Sequence, residues 1–393
     1  MREAVIVSAV RTPIGSFQGT LGTVSGPRLG AAAIRGAVSR AGLSPDQVDE
    51  VIMGCVLQGG VGQAPARQAA IFAGLPDSVP CTTVNKVCGS GLKTVMMAYD
   101  MVRLGEAEVV VAGGMENMTQ APYLLERARD GYRLGHGQVI DMMINDGLWD
   151  VYNDFHMGTA AEMCAREHQI SREEQDSFAI ESYRRATAAI ADGLFKEEIV
   201  PVEVPQRRGD PLRVEQDEEP GRGRPEKIPS LRPVFDKAGT ITAANASSIN
   251  DGAAAVVVMS AEKAAALGCT PLARIAGYAS HAQAPEWFST APAKSIQRLL
   301  ERQDLTASAI DCFEVNEAFA VVSIATNREL GLDPERVNPC GGAVALGHPI
   351  GASGTRILVT LIHSLVRQSG RRGIASLCIG GGEAVAMLVE REN

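Results

Sequence analysis

The 393-residue sequence has no Cys-x-x-Cys pair and no cluster of cysteine and histidine residues with the spacing of metal ligands. We therefore do not expect a structural zinc site, and apart from the potassium considered below no metal is expected. The eight cysteines are scattered along the chain rather than grouped. Scattered thiols in a chain of this length favour a reducing compartment over a disulfide framework.

Basic charge and long apolar runs are also scarce. The 37 lysines and arginines are outnumbered by 46 acidic residues, which gives a net charge of −9. Nucleic acid is therefore not an expected partner, and an anionic ligand would need a local basic patch. No apolar run reaches the length of a membrane span, and the first residues form a strand pattern without the design of a signal peptide. We expect a cytoplasmic protein with no membrane partner.

What is present is an alternation of short apolar runs with helical patterns. Strands are predicted at residues 4–9, 50–57, 108–112, 272–276, 312–315 and 374–377, and helices at 30–41, 64–73, 90–103, 293–301, 318–330 and 353–366. This alternation predicts an α/β fold with a largely parallel sheet that is covered by helices on both faces.

The two halves of the chain share short sequence motifs. Residues 84–88 (VNKVC) find an echo in residues 337–340 (VNPC), and residues 109–114 (VVVAGG) find one in residues 376–382 (SLCIGGG). Such repetition predicts a duplicated α/β domain whose functional loops meet at a pseudo-twofold interface. The more charged stretch between the halves is interpreted as an inserted loop domain, in which the acidic residues 217–220 form a solvated loop.

The segment 84–93 (VNKVCGSGLK) places Cys88 where a strand-like run gives way to a helix. The positive end of a helix favours the thiolate form of a cysteine, and the glycines on either side of Ser90 would let a substrate approach the backbone closely. Cys88 is therefore a candidate nucleophile. The alternative is a buried structural cysteine, which is common among free thiols.

Three further segments carry side chains suited to chemistry. Residues 338–354 (NPCGGAVALGHPIGASG) hold His348 in a glycine-dense loop that opens a helix. Residues 378–382 (CIGGG) place Cys378 at a strand end before glycines whose N–H groups could form an oxyanion hole. Residues 314–319 (EVNEAF) place Asn316 at a strand-to-helix junction, where it could instead simply cap the helix.

These four segments resemble the signature stretches and the Asn-Glu-Ala-Phe motif of the thiolase family. The resemblance spans the whole chain and includes residues 7–15 (VSAVRTPIG) and 156–162 (HMGTAAE). It implies duplicated βαβαβαββ domains that form a five-layered α-β-α-β-α core with an inserted loop domain. The implied division is residues 1–118 with 246–270 as the N-terminal half, 119–245 as the insertion for CoA binding and tetramerisation, and 271–393 as the C-terminal half.

The resemblance implies acyl transfer between thioesters: the reversible condensation of two acetyl-CoA molecules to acetoacetyl-CoA and CoA, by a ping-pong route. Cys88 would carry the acyl group, His348 would receive its proton, and Cys378 would be the second acid/base. One oxyanion hole would consist of His348 and a water held by Asn316, and the other of the backbone N–H groups of Cys88 and Gly380. The chemistry requires no cofactor, since CoA is substrate or product.

The resemblance also implies binding residues. These are His156, Met157 and Phe319 around the acyl and pantetheine tunnel, Ser247 on the pantetheine, and Arg222 and Lys227 in a loop similar to the nucleotide-binding loop of mitochondrial members. Either cation could instead be a solvated surface charge. A possible potassium site, also similar to that of mitochondrial members, comprises Tyr183, Ala243, Ala244, Ala246 and Val344. A homotetramer formed through residues 119–150 is expected, although this apolar stretch could equally be a lid.

Four alternatives are weighed against this reading. A degradative 3-ketoacyl-CoA thiolase for longer chains is the nearest, although the bulk of Met157 and Phe319 favours a short acyl pocket. A ketoacyl or hydroxymethylglutaryl synthase of the same fold lacks the second cysteine, represented here by Cys378. A non-catalytic CoA-binding scaffold would not need the full set of catalytic side chains. A cysteine hydrolase would leave Cys378 without a role. The physiological direction of the reaction stays open.

Overall fold

The computed structural model describes residues 1–391 of the chain. Its strands are β1 (Ala4–Arg11), β2 (Gly15–Ser16), β3 (Glu50–Gly54), β4 (Cys81–Val84), β5 (Val109–Asn117), β6 (Tyr123–Leu124), β7 (Ile140–Asp141), β8 (Trp149–Asp150), β9 (Phe155–His156), β10 (Val202–Val204), β11 (Leu212–Val214), β12 (Asn250–Ser260), β13 (Ala273–Ala282), β14 (Cys312–Val315), β15 (Arg372–Ile379) and β16 (Glu383–Glu390). Its α-helices are α1 (Gly26–Arg40), α2 (Pro65–Ala73), α3 (Ser90–Leu104), α4 (Met157–Glu167), α5 (Arg172–Ala191), α6 (Glu219–Arg222), α7 (Ala261–Leu267), α8 (Ala291–Arg302), α9 (Ala320–Leu330), α10 (Ala343–Leu346) and α11 (Ser353–Gln368). Every strand and helix predicted above is present, with shifts at the ends.

Ten strands form one sheet in the order β14-β15-β16-β13-β1-β12-β5-β3-β4, with β2 paired to β12. The prediction of a largely parallel sheet was wrong. Only β3–β4, β3–β5 and β14–β15 are parallel, and the other pairings of this sheet are antiparallel. The reason is that β16 returns beside β15 as a hairpin and β12 enters after the insertion, so neither follows a crossover helix.

The sheet consists of two halves that join narrowly, because β1 pairs with β13 through two residue pairs, Val5 with Arg274 and Ile6 with Ala273. Helices α1 and α2 cover the outer face of one half, α8 covers the outer face of the other, and α3 and α11 lie between the halves. Along β12, Val257 faces the outer cluster while Val256 and Val258 face the central helices, as the two-residue period of a strand requires. This arrangement is the expected five-layered core.

The insertion is tied to the core by buried charge. Asp217 is 3% exposed and accepts two hydrogen bonds from Arg11, at 2.6 and 2.8 Å, while Glu198 accepts a third from the same guanidinium at 2.6 Å. The prediction of a solvated loop at 217–220 was therefore wrong for Asp217, because the paired guanidinium compensates for its removal from water. The proposed division at residues 119, 246 and 271 remains a prediction. Within residues 1–391, no helix combines the length and the apolar character that crossing a membrane requires.

Candidate active site

Cys88 lies in the turn between β4 and α3, half-buried and just before the helix begins. The preceding residue, Val87, has a φ of 44°, a left-handed value that β-branched residues rarely adopt. The hydroxyl of Ser90 holds this turn by accepting from the Lys86 N–H at 2.8 Å and donating to the Val87 carbonyl at 2.6 Å. The Asn85 side chain accepts from the Val87 N–H at 3.0 Å. The local sequence thus stabilises a strained backbone next to the candidate nucleophile.

A cavity of about 460 Å³ brings the predicted residues together. Cys88, Cys378, His348 and Gly380 line it, although they come from opposite halves of the chain. The predicted binding residues His156, Met157, Ser247 and Phe319 line the same cavity. Asn316 lies behind this wall, against His348. The sequence prediction that loops of the two halves meet at one site is consistent with this placement.

The imidazole of His348 is oriented by Ser353. Its Nδ1 lies 2.6 Å from the Ser353 hydroxyl oxygen, which in turn lies 2.9 Å from the Pro349 carbonyl oxygen. Because a carbonyl can only accept, the serine donates to Pro349 and accepts from Nδ1–H, which leaves Nε2 as the unprotonated nitrogen; this tautomer is assigned from the network. Burial, together with the positive charge of Arg356, lowers the pKa of His348 to about 3. The resting imidazole is therefore a neutral base.

Asn316 follows β14 and is fully buried. Its amide nitrogen lies 3.5 Å from both ring nitrogens of His348. The alternative that Asn316 caps the following helix does not hold, because α9 begins at Ala320 and its capping position is Phe319. Asn316 therefore lies behind His348, outside the cavity lining, rather than at the helix end.

The two cysteines of the site are neutral thiols at rest. Burial raises the pKa of the Cys88 thiol to about 11, although hydrogen bonds from the backbone of Gly380 and of Cys88 itself act in the opposite direction. The expectation that the helix end would favour the thiolate is thus corrected, because removal from water outweighs these dipoles. Burial, and then the proximity of Cys88, raises the pKa of Cys378 well above its ordinary value. Deprotonation therefore needs a base or substrate in place.

Apolar side chains close the end of the cavity near Cys378. Met157, Phe288 and Phe319 belong with Cys378 to one buried cluster, and the two phenylalanine rings lie 6.2 Å apart, edge to face. The His156 ring stacks on Phe235 at 4.7 Å, and burial lowers the pKa of His156. These contacts place apolar side chains beside the thiols.

Other predicted residues lie apart from the cavity. Arg222 and Lys227 are exposed and do not line it, and Arg222 pairs with Glu218 at 3.3 Å. The predicted potassium residues fall into two places. Tyr183, Ala244 and Val344 belong to one small apolar cluster, while Ala243 and Ala246 line the cavity.

The sequence analysis missed three residues near the site: Ser353, Glu116 and Arg356. Glu116 is 1% exposed and accepts from the N–H groups of Val56, Leu57 and Gly351 at 2.9–3.1 Å, which links the two halves beside Cys88. Burial raises the pKa of Glu116 to about 7. A carboxylate within an otherwise apolar strand was a signal that could have pointed to it, as was the serine five residues after His348.

Comparison with known proteins agrees with this geometry. Residues 4–262 match the family described as Thiolase, N-terminal domain, and residues 269–391 match Thiolase, C-terminal domain. The chain belongs to the thiolase family, and it is an acyltransferase enzyme by that membership. This confirms the resemblance inferred from the motifs.

Curated relatives narrow the comparison. The Acetyl-CoA acetyltransferase of Cupriavidus necator is 54% identical over 393 residues, which cover all of both chains. The protein of that name from Pseudomonas aeruginosa is 53% identical over 393 residues, again all of both chains. Acetyl-CoA acetyltransferase 1 of Arabidopsis thaliana is 52% identical over 391 residues, 99% of this chain and 94% of the relative.

Proposed function

We propose that this chain is an acetyl-CoA C-acetyltransferase, which condenses two acetyl-CoA molecules reversibly to acetoacetyl-CoA and CoA. The observation that carries the proposal is the convergence of Cys88, His348 and Cys378 on one cavity with a short apolar end. The names of the full-length relatives support the acetyl substrate.

In the first half-reaction, His348 Nε2 takes the Cys88 thiol proton as the sulfur attacks the acetyl carbonyl carbon. The resulting oxyanion is held by the backbone N–H groups of Cys88 and Gly380. Support for this role comes from the placement of Cys88 and Gly380, which line the same cavity. The bond between carbonyl carbon and CoA sulfur then breaks, and Cys378 gives its proton to the leaving CoA thiolate. Acetyl-Cys88, imidazolium and the Cys378 thiolate remain.

In the second half-reaction, the Cys378 thiolate removes a Cα proton from the second acetyl-CoA. The enolate oxygen is held by His348 Nε2–H and by a water on Asn316. The carbanion attacks the acetyl carbonyl, the bond to the Cys88 sulfur breaks, and His348 returns its proton to Cys88. Each group thereby regains its starting protonation state, as turnover requires.

The acyl end of the cavity favours acetyl over longer chains. Met157 and Phe319 are each 8% exposed and Phe288 is 3% exposed, so a longer acyl tail would need these side chains to move. We expect kcat/KM for cleavage of acetoacetyl-CoA to exceed that for 3-ketooctanoyl-CoA by at least about tenfold, the discrimination that a few methylenes in a closed pocket provide. Equal values would favour the degradative 3-ketoacyl-CoA thiolase instead, and condensation measured alongside would report the reverse reaction.

The CoA contacts are proposed along the insertion. Ser247 and His156 line the cavity, and Val234 and Phe235 extend the lining toward the surface, where a pantetheine arm would leave it. The exposed Arg222 and Lys227 would meet the nucleotide phosphates there. Arg213, an exposed arginine of the same insertion paired with Glu215, offers a matched control for substitutions of Arg222.

A potassium ion is proposed near the insertion. The carbonyl oxygens of Ala243 and Ala244 accept no hydrogen bond among those found for residues 1–391, and such oxygens suit a hard cation. Burial raises the pKa of Tyr183 to about 12, so its hydroxyl is neutral and can be a ligand. Such an ion would order the loop that carries Ser247. An unchanged KM for CoA and an unchanged rate on replacing K⁺ by Na⁺ would contradict this site.

Assembly and compartment are further parts of the proposal. Large apolar side chains remain exposed in and beside residues 119–150, among them Tyr123 at 66%, Leu134 at 99% and Tyr152 at 73%. Exposed apolar patches of this kind mark association surfaces, which supports a homotetramer. Sedimentation showing a stable dimer would overturn it. All eight cysteines are free, which supports a reducing, cytoplasmic location.

A further inference from the structure

The first turn of α11 contacts two groups of the site at once. Ser353 Oγ lies 2.6 Å from His348 Nδ1, and Arg356 Nη2 lies 3.5 Å from Asn316 Oδ1. Residues three apart on a helix face the same side. Ser353 and Arg356 therefore both point toward the residues of the proposed oxyanion hole, His348 and Asn316. The role of Ser353 is to orient the imidazole. That of Arg356 is not explained by the chemistry described so far.

We infer that Arg356 is a positioning residue that fixes the orientation of the Asn316 side-chain amide. A guanidinium carries N–H donors and no acceptor. It therefore attracts Oδ1 of Asn316 and repels the NH₂ group, which would oppose donor to donor in the flipped amide. With Oδ1 held by Arg356, the Nδ2 donor faces His348 at 3.5 Å from its ring nitrogens.

The chain arrangement suits this role. Glu314 and Asn316 are two residues apart at the end of β14, so both side chains point to the same side, toward α11. Arg356 Nη1 lies 3.5 Å from Glu314 Oε2, while Nη2 faces Asn316. The two terminal nitrogens of the planar guanidinium thus contact the Glu314 carboxylate and the Asn316 amide at the same time. The single ammonium group of a lysine could not do this with the same geometry.

Stability alone does not account for Arg356. Arg11, equally buried, makes three charged hydrogen bonds of 2.6–2.8 Å with two carboxylates. Arg356 has one carboxylate at 3.5 Å, and its Nε and Glu314 Oε1 have no hydrogen-bond partner within residues 1–391. A buried guanidinium bound so loosely is a poor stabilising ion pair. Its second contact, at the same distance of 3.5 Å, is with the Asn316 amide oxygen, and a role in stability leaves this contact unexplained.

The inference rests on the proposed function, in which Asn316 must present a donor toward the enolate oxygen through its water. A flipped amide would accept from this water instead of donating to it, which would weaken the water as a donor to the enolate oxygen. Loss of one such donor lowers kcat by about 10²–10³-fold. A partial loss of orientation should give a smaller but measurable part of this effect.

The test uses matched lysine substitutions in the full-length protein. We expect Arg356→Lys to lower kcat for condensation by about 10-fold to 100-fold, part of the loss of one oxyanion donor, with KM for acetyl-CoA within about twofold. Arg11→Lys is the control, because it also replaces a buried guanidinium, but one that bonds to Glu198 and Asp217 rather than to Asn316. It should lower Tm while leaving kcat within about twofold. An unchanged kcat in Arg356→Lys would overturn the inference.

A double-mutant cycle separates positioning from a general structural effect. If Arg356 acts through Asn316, adding Arg356→Lys to Asn316→Ala should change kcat by less than about twofold, because the oriented group is already gone. Multiplicative losses in the cycle would overturn the inference. Should Arg356→Lys fail to fold, the uncharged pair Glu314→Gln with Arg356→Gln enters the same cycle under the same criterion. Failure of the proposed function would look different: the unmodified protein would not condense acetyl-CoA.

Discussion

The two loops that share the Val-Asn phrase use it for different purposes. Residues 85–89 precede α3 and residues 337–342 precede α10, and each loop contains a left-handed residue, Val87 at φ 44° and Asn338 at φ 47°. Cys88 of the first loop lines the cavity. Cys340 of the second is 3% exposed, packs among apolar side chains and accepts a hydrogen bond from Arg367 at 3.2 Å. A duplicated phrase thus supplies one candidate nucleophile and one structural thiol.

The hydrogen bonds of Asn85 and Asn338 account for the different environments of Cys88 and Cys340. Asn338 is bonded outside its own loop: it accepts from the Val315 N–H at 2.9 Å and donates to the Val315 carbonyl at 2.8 Å and to Glu317 at 2.9 Å. Asn85 instead accepts from the Val87 N–H within its own turn, at 3.0 Å, and makes one longer bond outside it, to the Val56 carbonyl at 3.4 Å. The second loop is therefore anchored to β14 by its asparagine, whereas the shorter bond of Asn85 lies within the first loop, whose thiol faces the cavity.

The largest effect is expected from substituting the cysteine of each loop. Cys88→Ser should reduce turnover by at least about 10⁴-fold, because a hydroxyl is a far weaker nucleophile at this site, and should abolish the acetyl-enzyme seen by intact-protein mass spectrometry. Cys340→Ser is the matched control. It should retain kcat while lowering the free energy of unfolding by about 1–3 kcal/mol, because a polar hydroxyl replaces a thiol that packs among apolar side chains. A Cys340 variant as inactive as the Cys88 variant would contradict the assignment of the two loops.

Substituting the third thiol of the site, Cys378, should separate the two half-reactions. Cys378→Ala should still form acetyl-enzyme from an activated acetyl donor, because Cys88 and His348 remain. Condensation should fall by about 10²–10⁴-fold, the usual contribution of a general acid/base. Mass spectrometry would follow acylation and product formation would follow condensation. Normal condensation by this variant would exclude the two-cysteine mechanism.

The sequence predicted the elements better than their connections. Apolar periodicity located six of the strands and six of the helices, but it did not predict β12 or β16. The antiparallel placement of β12 between β1 and β5 depends on long-range pairing that has no local signal. The motifs brought Cys88, His348 and Cys378 to one site. They could not show that burial would raise the pKa of Cys88, because desolvation depends on neighbours from both halves. Nor could they show Arg356 and Glu116, which act through contacts between elements distant in the chain.

Alkylation by iodoacetamide would show whether the reactivity of Cys88 and Cys340 follows the accessibility of each thiol or its pKa. Burial raises the pKa of both Cys88 and Cys340 to about 11, so at pH 7–9 both are mainly thiols, and their thiolate fractions rise about tenfold per pH unit. We expect both rates to rise with pH, with Cys88 modified at least about tenfold faster at each pH because it lines the cavity. Peptide mapping would assign the sites. A Cys88 rate that levels off near pH 7 would show a lowered pKa instead.

The smallest effect is expected from the backbone of the first loop. Val87→Gly should relieve left-handed strain of about 1–3 kcal/mol, while the glycine loses about 0.5–1 kcal/mol of backbone entropy and the packing of a half-buried side chain is also lost. We therefore expect little net change in the denaturation midpoint and a fall in kcat of about twofold to fivefold, as Cys88 becomes less firmly oriented. Asn338→Gly is the contrasting control, because it removes three buried hydrogen bonds and should lower stability more than activity. A hundredfold loss of kcat in Val87→Gly would show that the valine side chain, rather than the hydrogen bonds of the turn, orients Cys88. The difference between the two loops would then depend on that one side chain.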